Sequence, residues 1–289
     1  MDRAEETVQA EEQRRQEQNS ETANGREEQQ LVDNASRLSA RMIYEVIRRD
    51  GAEEMARPKT SLVFSGLAAG ILIAFSVLGR AIFHAHLPET SYRPLIESFG
   101  YTLGFLLVIK GRMQLFTENT ITTVLPLMTK PCAEYFFLTA RLWGIVLAAN
   151  LVGAFVAAFF FAFSGAFSAE VSEALVAISE HAVMRPPWEA FAKGLPAGVL
   201  IAAIVWMMPS SSFSPFFIIV TFTWLIAAGD FTHIIAGSVE MAYLMVNGML
   251  GPIEAVFGFF IPVLLGNVVG GTAVFTLITW AQVAAEVDQ

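Results

Sequence analysis

Six stretches of this chain read as membrane spans, and they constrain its fold more than any other feature. They are residues 62–83, 98–128, 136–164, 191–208, 216–249 and 255–281. A helix needs about 20 apolar residues to cross about 30 Å of hydrocarbon. Inside that layer every backbone N–H and C=O must be bonded within the protein. An all-α membrane protein with six transmembrane helices is therefore expected. A hydrophobic content of 54% and a mean hydropathy of +0.53 set the chain apart from soluble domains in the same sense.

The charges are unevenly spread. Residues 1–59 hold 24 of the 45 Asp, Glu, Lys and Arg residues, which leaves 21 for the other 230 positions. The net charge of −9 is thus partly the property of a soluble acidic head. No basic patch is present, so nucleic acid is not an expected partner and the lipid bilayer is. Residues 1–34 are rich in Glu, Gln, Arg and Asn, with little to bury, and are expected to be disordered. Over 35–59, Leu38, Met42, Val46 and Ile47 recur at helical spacing. That spacing predicts an amphipathic helix, lying either on the membrane surface or packed on the body of the protein. Residues 60–283 form the expected transmembrane domain and 284–289 a short tail. Arg41, Arg48, Arg49, Arg57, Lys59 and Lys130 bias the topology toward cytoplasmic N- and C-termini in a multi-pass cell-membrane protein.

The second and fifth stretches are too long for one plain helix, and polar residues interrupt their centres. Phe116-Thr117-Glu118 breaks one and Phe231-Thr232-His233 the other, 115 residues later. Two further echoes keep the same order. SGLAAGILIA (65–74) is similar to KGLPAGVLIA (193–202), and ANLVGA (149–154) to GNVVGG (266–271). Together they predict two three-helix repeats. An odd number of spans inverts the second copy, and such repeats meet at mid-bilayer between broken helices.

His233 is the sharpest candidate for a function at that meeting point. Imidazole can take or lend a proton near neutral pH, and an ionisable residue inside a span is a functional candidate. Thr117 can hold a solute or orient His233, with freed backbone N–H groups at Glu118 and Asn119 as further donors. Uncompensated charges at that depth cost at least about 2.5 kcal/mol each. Lys110, Arg112, Glu118, Asp230 and Glu240 are therefore expected to pair, Arg112 with Glu118 in particular, or else to line a vestibule. Cys132 is expected as a small packed residue near a helix end, and the five tryptophans mostly as an interfacial belt. His84 and His86 give only a weak metal signal, and no cofactor, metal set or nucleophile arrangement stands out. An enzyme is not expected.

At Leu115-Phe116-Thr117, Asn150-Leu151-Val152-Gly153, Phe231-Thr232-His233 and PVLLGNVVGG (262–271), the chain resembles the formate/nitrite transporter family over roughly residues 60–283. YTLGFLLVIKGRMQLFTENT (101–120) and GDFTHIIAGSVE (229–240) are still more similar to its YfdC-like inner-membrane branch. The resemblance implies an aquaporin-like arrangement with helices 2 and 5 broken, assembled as a homopentamer with one pore per subunit. It implies passage of small monovalent anions, with Thr117 and His233 at the pore centre between two apolar constrictions. Leu115 and Phe116 would border a constriction, Ile226 stands where the family often has an aromatic, and Phe231 belongs to the pore motif. The chain departs from the family at Gly198, where an Asn is usual, at Ala182 in place of a vestibule Lys, and at Arg112 in place of a small residue. Two other readings fit the same residues: a pore-shaped sensor or scaffold that does not conduct, and a channel for small neutral solutes.

Overall fold

A computed structural model of the chain describes residues 38–210 and 215–287. The expected disordered segment, 1–34, lies outside them. The described residues form helices and turns, with no strand among them.

The first helix, α1 (Ala40–Ala56), buries Ile43, Tyr44, Ile47, Gly51 and Met55, most of them four residues apart on one face. That face rests on protein. A side chain at Gly51 would meet the Thr122 carbonyl at 1.8 Å. Tyr44 and Thr129 share a hydroxyl hydrogen bond of 2.6 Å, and the Arg141 guanidinium donates to the Met55 carbonyl at 2.6 Å. Of the two placements open to this helix, packing on the body is the one observed.

On its outer side, the Arg48 guanidinium, with Arg49 behind it, holds the Glu45 carboxyl at about 2, against 4.5 for a free glutamate. A carboxyl depressed on folding stabilises above its unfolded value and loses that contribution as pH falls through the folded one. Both pairs lie within one helix and are partly exposed, so their joint worth is about 1 kcal/mol at most. Hydrogen exchange of the α1 amides, corrected for intrinsic rates, is expected to quicken between pH 4.5 and 2. An Arg48→Ala protein should show most of that loss already at neutral pH.

Among the described residues, four helices are long and apolar enough to cross a membrane. These are α2 (Lys59–His86), α6 (Ala133–Phe163), α8 (Pro187–Met207, continued to Ser210 by a 3-10 turn) and α11 (Glu254–Glu286). The last contains two π-helical stretches, Glu254–Phe260 and Val269–Thr276, and it runs without a break past residue 283.

The second and fifth apolar stretches are each divided. The second is α3 (Arg93–Lys110), α4 (Phe116–Thr122) and α5 (Val124–Thr129); the fifth is α9 (Pro215–Ala228) and α10 (Ile234–Val246). A further helix, α7 (Ala169–Val183), starts where the Ser168 hydroxyl accepts the Val171 N–H at 3.4 Å. Sequence reading left it out because it is too short and too polar to be a span. Cys132, expected to be packed, is exposed just ahead of α6. It sits in the turn after Lys130 and Pro131, where no helix covers it.

Glycines set the helix crossings. At Gly70 an added Cβ would lie 2.1 Å from the Asn150 carbonyl oxygen, and at Gly198 2.3 Å from that of Asn267. Gly153 opposes the Leu67 carbonyl as Gly270 opposes that of Leu195. Thus α2 against α6 and α8 against α11 are the same crossing built twice, backbone on backbone.

Candidate functional site

Each divided helix opens its break with a residue in the left-handed region, Arg112 (φ 52) in one and Asp230 (φ 54) in the other. The chain then runs extended and restarts as helix at Phe116 and at Ile234. The restarting N–H groups need acceptors, since a helix start leaves its first donors unbonded. One asparagine serves each. Asn150 on α6 accepts the Phe116 N–H at 2.9 Å and donates to the Gly66 and Gln114 carbonyls at 2.7 and 2.8 Å. Asn267 on α11 accepts the Ile234 N–H at 2.8 Å and donates to the Gly194 and Thr232 carbonyls at 3.0 and 2.9 Å.

These partners fix how the halves correspond. Arg112 matches Asp230, Gln114 matches Thr232, Leu115 matches His233 and Phe116 matches Ile234, all 118 residues apart. The Phe-Thr echo, 115 residues apart, is out of register by three and is not the shared feature expected of it. The backbone conformation and its asparagine clamp repeat; the Phe-Thr letters do not.

His233 and Thr117 meet. The imidazole Nε2 and the Thr117 hydroxyl are 2.8 Å apart, and both residues are 1% exposed. The Ala236 N–H donates to Nδ1 at 3.3 Å. With Nδ1 accepting, the ring proton is assigned to Nε2, which donates to the threonine oxygen. That leaves the Thr117 hydroxyl hydrogen free to donate onward. The edge of Phe105 closes the ring in, centroids 5.0 Å apart at 78°. Sequence reading missed Phe105, Asn150 and Asn267 as parts of the site, although both asparagines stood in quoted motifs.

One cavity reaches Glu118 and Asn119, the residues after Thr117, and another reaches His233. The first, of about 400 Å³, is lined by Asp50 and Glu54 of α1, Lys110, Arg112, Glu118 and Asn119. The other, of about 20 Å³, is lined by His233 itself with Arg80, Arg185, Asp230, Phe231 and Glu240. The second has room for about one water. Leu115, Phe116 and Ile226 are buried and line neither cavity. The Phe116 ring packs edge-on against Trp143, centroids 5.5 Å apart. Trp143 is half-buried there and donates to Thr123 Oγ1 at 3.0 Å.

The expected charge pairing is not the one found. Among the described residues no ion pair joins Arg112 to Glu118, and neither Lys110 nor Glu240 enters one. Arg112 projects outward from its left-handed turn and is exposed. Asp230 is held instead by Arg185 and His181, both at 3.1 Å, and by the Lys193 ammonium. Elsewhere, buried Glu97 gathers Arg80 at 3.1 Å and His84 at 2.9 Å. No group of three or more potential ligands gathers for a metal among the described residues.

An apolar helical bundle whose two divided helices meet at a buried hydroxyl–imidazole pair, with one cavity reaching the residues after Thr117 and another reaching His233, defines a membrane channel or transporter. The chain belongs to the formate/nitrite transporter family, whose sequence profile matches residues 41–281. It is 42% identical over 244 residues to the inner membrane protein YfdC of Escherichia coli (strain K12), across 84% of this chain and 79% of that one. Its fold is similar to an FNT family ion channel (TM-score 0.73, 17% identity, 83% of this chain and 98% of the other). It is also similar to a pentameric formate channel with formate bound (TM-score 0.65, 21% identity, 78% and 97%). Members of this family are channels or transporters and not enzymes.

Proposed function

We propose that this chain is a channel for small monovalent anions of the formate and nitrite kind, with Thr117 and His233 at its narrowest polar point. The observation that carries this is the 2.8 Å hydrogen bond joining the two breaks. An anion entering an apolar passage loses hydration that must be replaced by donors. The chain of donors from Ala236 N–H through the imidazole to the Thr117 hydroxyl supplies one, aimed by a neutral ring. Phe231, which lines the smaller cavity, supplies an apolar wall on the His233 side, while Leu115, Phe116 and Ile226 pack behind the pair. The matching asparagine clamps support two inverted three-helix repeats spanning residues 60–283. The likeness to a pentameric formate channel supports a homopentamer, and the basic residues before α2 support cytoplasmic termini in an inner-membrane protein.

The test is uptake of formate, nitrite and a neutral solute of similar size into proteoliposomes. His233→Ala and Thr117→Val are each expected to lower anion uptake about tenfold, the effect of losing one hydrogen bond worth about 1.4 kcal/mol. A folded wild-type protein that moves the neutral solute but no anion, or moves nothing, sinks the proposal.

A further inference from the structure

Glu118 follows Thr117 directly and lines the larger cavity, yet one of its carboxylate oxygens is buried with no hydrogen-bond partner. The charged groups around that cavity are Asp50 and Glu54 from α1, Lys110 at the end of α3 and Arg112 in the break. Glu54 is engaged elsewhere: it accepts from the Gln114 amide at 2.6 Å and pairs with Arg57 at 2.9 Å. Arg112 makes no ion pair with Glu118. The α8 residues that close the cavity, Ile204 and Val205, carry no charge.

A carboxylate left in this way beside an anion path repels the cargo, whereas a carboxylic acid there can give it a proton. His233 is less well placed to do so. One of its nitrogens accepts from Ala236 and the other serves Thr117, so a second ring proton would point at the Ala236 N–H.

We propose that Glu118, and not His233, is the group that hands a proton to the permeant anion. In the larger cavity the O–H bond of the Glu118 carboxyl breaks and an O–H bond forms on formate. Formic acid then crosses past Thr117 and His233 without charge. Glu118, left as carboxylate, takes its next proton from cavity water, and the acid releases its proton to water on the far side. Donor and acceptor are both carboxyl groups, so the exchange is close to balanced. This inference rests on the anion-channel reading above.

The experiment uses the full chain in proteoliposomes and labelled formate, with initial uptake corrected for protein-free vesicles. A pH gradient and a valinomycin-set potassium potential are imposed separately. Wild-type initial uptake is expected to rise with an inward proton gradient and steady-state accumulation to reach about tenfold per pH unit of it, as one proton per anion requires, both ignoring an inside-positive potential. Glu118→Gln keeps a hydrogen-bond donor but carries no exchangeable acid, so its uptake should follow the potential and ignore the gradient. Glu118→Asp should keep the gradient response, which separates loss of the acid from loss of the fold. Wild-type uptake driven by potential, a Gln protein that still answers to the gradient, or an Asp protein that does not, each overturns the proposal. A wild-type protein that moves no formate under either force instead sinks the channel reading beneath it.

Discussion

Replacing Asn150 or Asn267 with leucine is expected to cost about 4 kcal/mol, enough to unfold most of the protein in detergent at moderate temperature. Each asparagine satisfies one helix-start N–H and one carbonyl inside the break, Phe116 with Gln114 in one case and Ile234 with Thr232 in the other. Leucine fills similar space and leaves both groups buried without partners, at about 1–3 kcal/mol each. An aspartate at either position keeps the acceptor for the N–H and loses the donor, so it should recover part of the stability. The check is the thermal midpoint of purified protein in micelles, read alongside formate uptake. Leucine variants as stable as wild type would show that the breaks are held by something other than these clamps.

The second large effect falls on Gly198. Alanine there places a methyl group 2.3 Å from the Asn267 carbonyl oxygen, a backbone atom that cannot swing aside. The crossing of α8 and α11 must open, at about 3 kcal/mol, the upper part of the range for overpacked cores. Asparagine, the residue the family usually carries in this part of the chain, should do at least as much harm. Gly70→Ala is expected to behave alike, since its Cβ would lie 2.1 Å from the Asn150 carbonyl. Both losses should appear as lower thermal midpoints, and uptake should fall because the asparagine displaced in each case holds a break. A tolerated Gly198→Asn would mean that the two helices are looser than their backbone contact implies.

Much of this was legible beforehand. Length and apolarity marked the segments, and polar residues at their centres marked the breaks, because a span longer than about 20 residues with polar groups at mid-depth has few other ways to fold. The glycine and asparagine echoes at 66/194 and 150/267 make matching contacts in the two halves. The Phe-Thr echo did not, because a repeat preserves backbone conformation and its bonding partners before it preserves side chains. Thr117 and His233 could be named in advance as candidates for one site. Their direct contact could not be derived, since the 118-residue offset puts them at different positions in the two breaks. The ion partners were harder still. Asp230 meets Arg185 and Lys193 across helices, 45 and 37 residues away in the chain, and no local pattern encodes such a meeting. The helix α7 did leave a signal, a capping Ser168 ahead of a short amphipathic run, that a search for spans alone passes over.

The unequal chambers beside the hydroxyl–imidazole pair carry a consequence of their own. A solute arriving from the α1 side travels with most of its water as far as Glu118, because about 400 Å³ admits a sizeable cluster of molecules. Beyond His233 there is room for about one. In the proposed channel, undressing of the solute is therefore not gradual: it falls between those two side chains. That is where the steepest part of the proposed channel's permeation barrier is expected, so a solute too large or too strongly hydrated should be turned back there rather than at either mouth.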